Sequence, residues 1–277
     1  MDPVERAIWF VEQGFGKEIS LEDIAAVAGV SRFHMARAFG AATGHSVMRY
    51  VRGRRLSEAA RALAAGAPDI LAVALDAGYG SHEAFTRAFR DHFGMTPEQL
   101  RAQGSLDPIE LMEPIRMDKS MTIELEEPRF EDGRPLLIAG IGMRYTCETN
   151  QGIPAQWQRF APHIGNIPRQ VGWVSYGLCC NYDNDDSFEY VTSVELANFG
   201  DVPEGFSSIR VPAQKYAVFN HREHISAMRR TVSTIWNRWL PQSGYAVADA
   251  PNFERYDDRF DPQTGTGLVE IWVPLKT

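Results

Sequence analysis

Two stretches of this chain, SRFHMARAFGAATG (31–44) and SHEAFTRAFRDHFG (81–94), align with each other without gaps. They are identical at five positions, the pairs Ser31/Ser81, Arg37/Arg87, Ala38/Ala88, Phe39/Phe89 and Gly44/Gly94. Just upstream, the pattern Ala-x-x-Ala-Gly occurs at 25–29 and again at 74–78. A repeat of this kind indicates one structural unit present twice.

Each copy has the residue order of a helix, a tight turn and a second helix. A segment of small residues ends at Gly29 or Gly78, because glycine adopts the left-handed conformation that terminates a helix. Ser31 or Ser81 then supplies the N-cap of the second helix. The pattern predicts two helix-turn-helix motifs, and apolar residues spaced four apart identify the inward face of each second helix. These inward residues are Met35, Phe39, Phe85 and Phe89.

The opposite faces of the second helices are then directed outward. They carry Arg32, Phe33, Ala36 and Arg37 in the first copy and His82, Glu83, Thr86 and Arg87 in the second. Such side chains can donate to guanine, accept from cytosine or contact a thymine methyl group. A connecting helix over 45–65 would place both motifs in successive major grooves of double-stranded DNA. Two ordinary helical hairpins with solvated outer faces remain the alternative.

The stretch GYGSHEAFTRAFRDHFGMTPEQLR (78–101) resembles the signature of the AraC family of transcription regulators. The resemblance implies a seven-helix DNA-binding domain with Arg37 and Arg87 on outward faces. RNA polymerase is then a candidate further partner of such a regulator.

Charge is distributed unevenly along the chain. The formal net charge is −8, yet residues 1–104 sum to zero, so the acidic excess lies beyond them. Five arginines fall within 49–61, where Glu58 is the only acidic residue. We expect Arg49 and Arg55 of this cluster to contact DNA phosphates, because clustered arginines neutralise them.

Length and patterning predict two domains in the 277 residues. Residues 1–104 form the all-α domain, residues 105–119 a linker marked by Asp107-Pro108 and Glu113-Pro114, and residues 120–277 the second domain. No membrane span or signal peptide is expected, which predicts a cytoplasmic protein. We expect no cofactor and no metal, since His221, His224 and the adjacent Cys179 and Cys180 lack the second ligand pair of a zinc site.

Beyond the linker, five runs alternate as strands do and two segments have helical periodicity. The runs are MTIELEE (121–127), LLIAGIGMRY (136–145), YVTSVEL (190–196), KYAVFNH (215–221) and LVEIWVPL (268–275). The helices are predicted over 155–164 and 225–239. The pattern predicts an α+β domain with a mainly antiparallel sheet and helices on one face.

Glu270 lies inside the apolar run LVEIWVPL. Period-two alternation places it on the face of Trp272, opposite Val269, Ile271 and Val273. A carboxylate beside an indole can bind an organic cation through charge and cation–π contact. The alternative is that this face is simply exposed to solvent.

The segments VPAQKYAVFNH (211–221), LPQSGY (240–245), FERY (253–256) and EIWVPL (270–275) together resemble the GyrI-like effector-binding family. The resemblance implies two pseudo-symmetric β-α-β-β units whose cleft binds bulky, often aromatic or cationic compounds. Carried over by motif, the cleft acid would be Glu270. The aromatic residues that we expect beside it are Trp272, Tyr216, Tyr190, Trp173 and Tyr256.

These features predict a DNA-binding transcription regulator that responds to a small-molecule effector. The alternative from another class is an enzyme that hydrolyses a strained small molecule, with Glu270 as base and a tyrosine hydroxyl beside it. A third is an interaction protein whose second half docks a protein partner. The fused DNA-binding half makes regulation the simpler interpretation.

Overall fold

The structure is a computed structural model that describes residues 2–117, 122–183 and 187–276. The chain divides into two compact units. The first comprises Met1–Met35 and His45–Met117, and the second comprises Ala36–Gly44 and Asp118–Thr277. Within the described residues, no helix is long and apolar enough to cross a membrane.

Residues 2–117 contain seven α-helices, as the resemblance implied. They are α1 (Pro3–Gly14), α2 (Leu21–Ala28), α3 (Arg32–Thr43), α4 (Val47–Ala64), α5 (Ile70–Asp76), α6 (His82–Phe93) and α7 (Pro97–Gln103). The boundary between the two units therefore falls within α3, after its fourth residue. Helix α4 confirms the predicted connection between the two motifs.

Local residues fix the turns of both motifs. Gly29 ends α2 with φ 74°, and Gly78 follows α5 with φ 79°. The Ser31 hydroxyl accepts from the His34 amide at 3.2 Å, and Ser81 caps α6. The predicted inward residues Met35, Phe39, Phe85 and Phe89 are fully buried. The helix-turn-helix prediction is thus confirmed by caps as well as by burial.

The described part of the predicted linker, residues 105–117, is packed against the helices of the first unit. Residues 118 and 119 lie outside the described residues. Leu106, Ile109 and Leu111 pack on the core of the first unit. The Met112 amide donates to Ser57 Oγ at 2.8 Å, and its carbonyl accepts from Arg54 Nη1 at 2.9 Å. Apolar residues on both sides of Pro108 supply this packing, although the two prolines alone predicted a linker.

The second unit is built on an eight-stranded antiparallel sheet among the described residues. Its strands are β1 (Arg129–Gly133), β2 (Leu136–Tyr145), β3 (Gln170–Cys180), β4 (Phe188–Leu196), β5 (Ser207–Val211), β6 (Gln214–His221), β7 (Asn252–Asp261) and β8 (Thr266–Leu275). Its helices are α8 (Ile153–Phe160), α9 (Met228–Thr234) and α10 (Leu240–Ser243), with the π-helical turn Ile235–Trp239 between the last two.

The strand order is β1-β6-β8-β7-β3-β4-β2-β5. The units β2-α8-β3-β4 and β6-α9-α10-β7-β8 occupy equivalent halves of this order, and β3 pairs with β7 at the centre. This arrangement confirms the two predicted β-α-β-β units.

The strand predictions were right for four runs and wrong for one. Residue 121 lies outside the described residues, and 122–127 form no strand. The Ile123 amide instead donates to Thr234 Oγ1 at 3.0 Å, so this extended segment is bonded to a side chain rather than to a strand. Strands β1, β3, β5 and β7 were missed, because glycines or charged residues interrupt their alternation.

Candidate functional site

The outward face of α6 carries the candidate DNA contacts of the second motif. Glu83 and Arg87 are exposed on it, and His82 and Thr86 are partly buried beside them. His82 Nε2 lies 3.0 Å from Glu98 Oε1. The predicted face of this helix is therefore open within the first unit, and its contact with DNA stays a prediction.

The first motif differs from the prediction in the second half of α3. Arg32 pairs with Glu22 at 3.3 Å, and its guanidinium lies 4.9 Å from the centre of the Phe33 ring. Ala36 and Arg37, however, line a cavity of the second unit. The expectation that both residues lie on an open face is wrong for this structure, because tertiary contacts cover them.

Two arginines of the α4 cluster, Arg54 and Arg55, have partners within the fold. Arg54 is 4% exposed and binds Glu12 at 2.8 Å. Arg55 donates to the Phe15 carbonyl and, at 2.5 Å, to the Lys17 carbonyl. Arg55 therefore ties α4 to the loop after α1, and its contact with DNA phosphates stays a prediction. Arg49 is exposed, and its phosphate contact stays a prediction.

The second unit contains a cavity of about 840 Å³. Glu254 of β7 lines this cavity, and its Oε2 accepts from the Tyr190 hydroxyl at 2.6 Å and from the Tyr256 hydroxyl at 3.0 Å. Trp157 Nε1 donates to the Tyr190 oxygen at 3.0 Å, and the Trp157 ring meets the Tyr256 ring edge-on at 5.0 Å. Trp173, which is 76% exposed, lies at the margin of the cavity. A carboxylate surrounded by aromatic rings is suited to an organic cation.

Burial governs the protonation of this cluster. It raises the pKa of Glu254, although the two tyrosine hydroxyls and the Arg37 charge oppose the rise. Burial and the Glu254 charge raise the pKa of Tyr190 and that of Tyr256 well above the ordinary value. Both phenols therefore remain protonated and act as donors to the carboxylate.

The structure places Glu270 elsewhere, which corrects the predicted cleft acid. Glu270 is 3% exposed and pairs with Arg129 at 2.9 Å and Arg259 at 2.6 Å. Trp272 Nε1 donates to it at 3.1 Å. Despite burial, these partners hold the pKa of Glu270 below its ordinary value. Glu270 is thus a neutralised structural acid that does not line the cavity.

Strand register explains the error. Glu270 pairs across the strands with Arg255, the neighbour of Glu254, so the two acids lie on opposite faces of the sheet. Trp272 and Tyr216 share the Glu270 side and belong to an aromatic core with Phe253. Of the six predicted ligand residues, the cavity brings together only Tyr190, Trp173 and Tyr256.

Sequence reasoning missed Glu254 and Trp157, which both line the cavity. A usable signal was present in FERY (253–256), where Glu254 and Tyr256 are two residues apart and therefore share a face of the strand. Trp157 carries no such signal, because a tryptophan in an amphipathic helix is usually a core residue.

Cys179 also lines the cavity, and burial raises the pKa of its thiol to about 11. Among the described residues, no group of three or more histidine, cysteine or acidic side chains is placed to hold a metal ion.

Residues 126–276 match the GyrI-like small-molecule-binding domain, and residues 24–103 match a helix-turn-helix domain of the AraC type. The chain is 27% identical to transcriptional regulator Rob of Salmonella typhimurium over 285 residues, which cover 97% of this chain and 96% of Rob. It is 28% identical to the right origin-binding protein of Escherichia coli over 284 residues, with coverages of 97% and 96%. It is also 33% identical over 92 residues to the multiple antibiotic resistance protein MarA of Salmonella typhimurium, covering 33% of this chain and 72% of MarA.

Proposed function

Because the chain belongs to the GyrI-like family of small-molecule-binding domains and carries an AraC-type DNA-binding domain, we propose that its effector is a bulky aromatic cation. The protein is a DNA-binding transcription regulator with an effector-binding domain.

The observation that carries this proposal is the arrangement at Glu254. Its carboxylate faces the cavity with two tyrosine hydroxyls donating to it and the Trp157 ring close by. When ionised, it supplies the charge attraction that a large cation needs inside an aromatic cavity. The cavity volume of about 840 Å³ accommodates a drug-sized molecule.

Calorimetric titration with tetraphenylphosphonium, an aromatic cation, and triphenylphosphine oxide, a neutral compound of related shape, tests the proposal. Glu254→Gln keeps the shape of the side chain but removes the charge. We expect it to weaken cation binding about tenfold or more, which corresponds to roughly 1.4 kcal/mol, while neutral binding changes little.

Glu270→Gln is the matched control, because it removes an equal charge from the other face of the sheet. Circular dichroism establishes that both variants are folded. Equal cation affinity in wild type and Glu254→Gln, or an equal loss in both variants, would contradict the assignment of Glu254.

Catalysis in the same cavity is the second candidate function. The observation that favours it is a carboxylate of raised pKa beside tyrosine hydroxyls, a pairing suited to general-base hydrolysis of a strained small molecule. Glu270 is held in ion pairs, so Glu254 is the only one of the two acids placed for this chemistry. Product analysis with a strained-ring aromatic compound tests it, and turnover that Glu254→Gln abolishes would support catalysis over effector binding alone.

A further inference from the structure

Arg37 of α3 is directed into the cavity of the second unit. Its Nη2 donates to Asn252 Oδ1 at 2.8 Å, and its guanidinium carbon lies 5.8 Å from the centre of the Phe188 ring and 5.9 Å from that of Trp236. Asn252 precedes Glu254 by two residues on β7 and therefore lies on the same face of the strand.

The surroundings of Arg37 are those that an organic cation would use. Aromatic rings lie within cation–π distance, and the field of Glu254 favours the positive charge. Arginine remains charged at any ordinary pH, so the cavity always contains this cation while Arg37 is inserted.

The contacts of Arg37 offset only part of the free-energy cost of burying its guanidinium. The hydrogen bond to Asn252 has a neutral acceptor, and the buried Nε of Arg37 has no hydrogen-bond partner among the described residues. A buried donor without a partner opposes insertion, as does removal of a guanidinium from water. The inserted state is therefore one that a competing ligand can reverse.

We propose that Arg37 is a built-in occupant of the cation site, so that a cationic effector must displace it or share Glu254 with it. This inference rests on the proposed function, because it requires a cationic effector at Glu254. Two cations cannot both be neutralised by one carboxylate, so the affinity of the effector is set by its competition with Arg37.

The competition links effector binding to the first helix-turn-helix motif. Arg37 lies on α3, one helical turn after Arg32 and Phe33. Displacement of Arg37 breaks its hydrogen bond to Asn252. Effector binding is thereby coupled to the second helix of the first motif.

Titration of the full chain with tetraphenylphosphonium tests the inference. Arg37→Met removes the charge and keeps most of the length of the side chain. We expect its dissociation constant to fall about tenfold, the change that follows if the Arg37-free cavity is populated in about a tenth of wild-type molecules. Arg37→Lys retains a cation, so its affinity should stay closer to that of wild type.

Arg238→Met is the matched control, because Arg238 is exposed on the neighbouring π-helical turn and does not line the cavity. Its affinity should equal that of wild type. Asn252→Ala removes the acceptor of Arg37 and should also tighten cation binding, so the inference stays testable if Arg37→Met folds poorly.

The outcomes separate this inference from the proposed function. Glu254-dependent binding that neither Arg37→Met nor Asn252→Ala tightens would overturn the competition and leave the cation site intact. An equal gain in Arg238→Met would also overturn it, because the effect would then be one of net charge. Cation binding that does not depend on Glu254 in any variant would overturn the proposed function itself.

Discussion

At the scale of single residues, two glutamates sixteen positions apart, Glu254 and Glu270, have opposite roles because of their partners. Glu270 is surrounded by arginines, and its charge is neutralised within the sheet. Glu254 accepts from two neutral phenols and faces the cavity. A buried acid with cationic partners is structural, whereas one with neutral donors retains a charge that a ligand can use.

The protonation of Glu254 leads to a pH prediction. The pKa of Glu254 is raised in the folded state above the ordinary value of 4.5. Glu254 therefore takes up its proton at a higher pH than an ordinary glutamate does. A cation binds the ionised form, and we expect affinity for tetraphenylphosphonium to rise with pH and level off above the raised pKa. Titrations between about pH 4.5 and 8 measure this change, by at most about 1.4 kcal/mol per pH unit for one proton.

The same shift has the opposite sign for stability without ligand. A raised folded pKa stabilises the protein below the unfolded pKa of Glu254, and this contribution is lost as pH rises through the folded pKa. Relative to Glu254→Gln, wild type should therefore lose unfolding free energy over the window in which it gains cation affinity. An identical pH dependence of affinity in wild type and Glu254→Gln would contradict the assignment.

At the scale of helices, the two copies of the repeat are placed differently. Helix α6 has Glu83 and Arg87 exposed within the first unit. Residues 36–43 of α3 belong to the second unit, where Asn237 Nδ2 donates to the Ala38 carbonyl at 3.1 Å and Arg229 Nε donates to the Ala41 carbonyl at 2.8 Å. The two similar helices thus differ: the outward face of α6 is open within the first unit, whereas the second half of α3 is bonded to residues of the second unit.

The open face of α6 leads to a prediction for Arg87, and the main-chain contacts of Arg55 on α4 lead to a second prediction. Arg87→Ala should weaken specific DNA binding by about 1–3 kcal/mol, because an exposed arginine on a recognition helix can contact a guanine with two hydrogen bonds. Arg55→Ala should lower the free energy of unfolding by about 1–3 kcal/mol, since two main-chain carbonyls lose their donor. Mobility shifts on a duplex selected by the wild type and on a random duplex, together with urea unfolding, measure both effects. Unchanged affinity of Arg87→Ala for the selected duplex would refute the assignment of this face.

At the scale of the whole molecule, the division into units does not follow the chain alone. The first unit runs to Met117 and lacks residues 36–44, which belong to the second. An ion pair and apolar residues after position 104 extend the first unit: Arg61 Nη2 binds Glu113 at 2.5 Å, and Leu111 packs on the core.

A fragment comparison tests this extent of the first unit. We expect residues 1–117 to be more stable than residues 1–104 by about 2 kcal/mol or more, because Leu106, Ile109 and Leu111 bury apolar surface only in the longer fragment. Urea unfolding of both fragments provides the measurement. A third fragment with residues 105–117 in scrambled order controls for length. Equal stability of all three fragments would show that residues 105–117 act as a linker, as the sequence predicted.

Local patterns were sufficient for much of the architecture. The repeat, the capping serines and the glycine turns predicted the motif helices α2, α3, α5 and α6, because each of these signals acts within one or two turns of chain. Alternation likewise predicted β2, β4, β6 and β8, and it placed Glu270 and Trp272 correctly on one face.

The cavity itself was decided by tertiary structure. Alternation defines two faces of a strand, but the pairing of β3 with β7 and the packing of the helices determined that the Glu254 face, rather than the Glu270 face, lines the cavity. Arg37 shows the same limit most clearly, because its partner Asn252 lies 215 residues away in the chain. Helical periodicity specifies on which side of α3 this arginine lies, whereas only the contacts of the folded chain determine what covers that side.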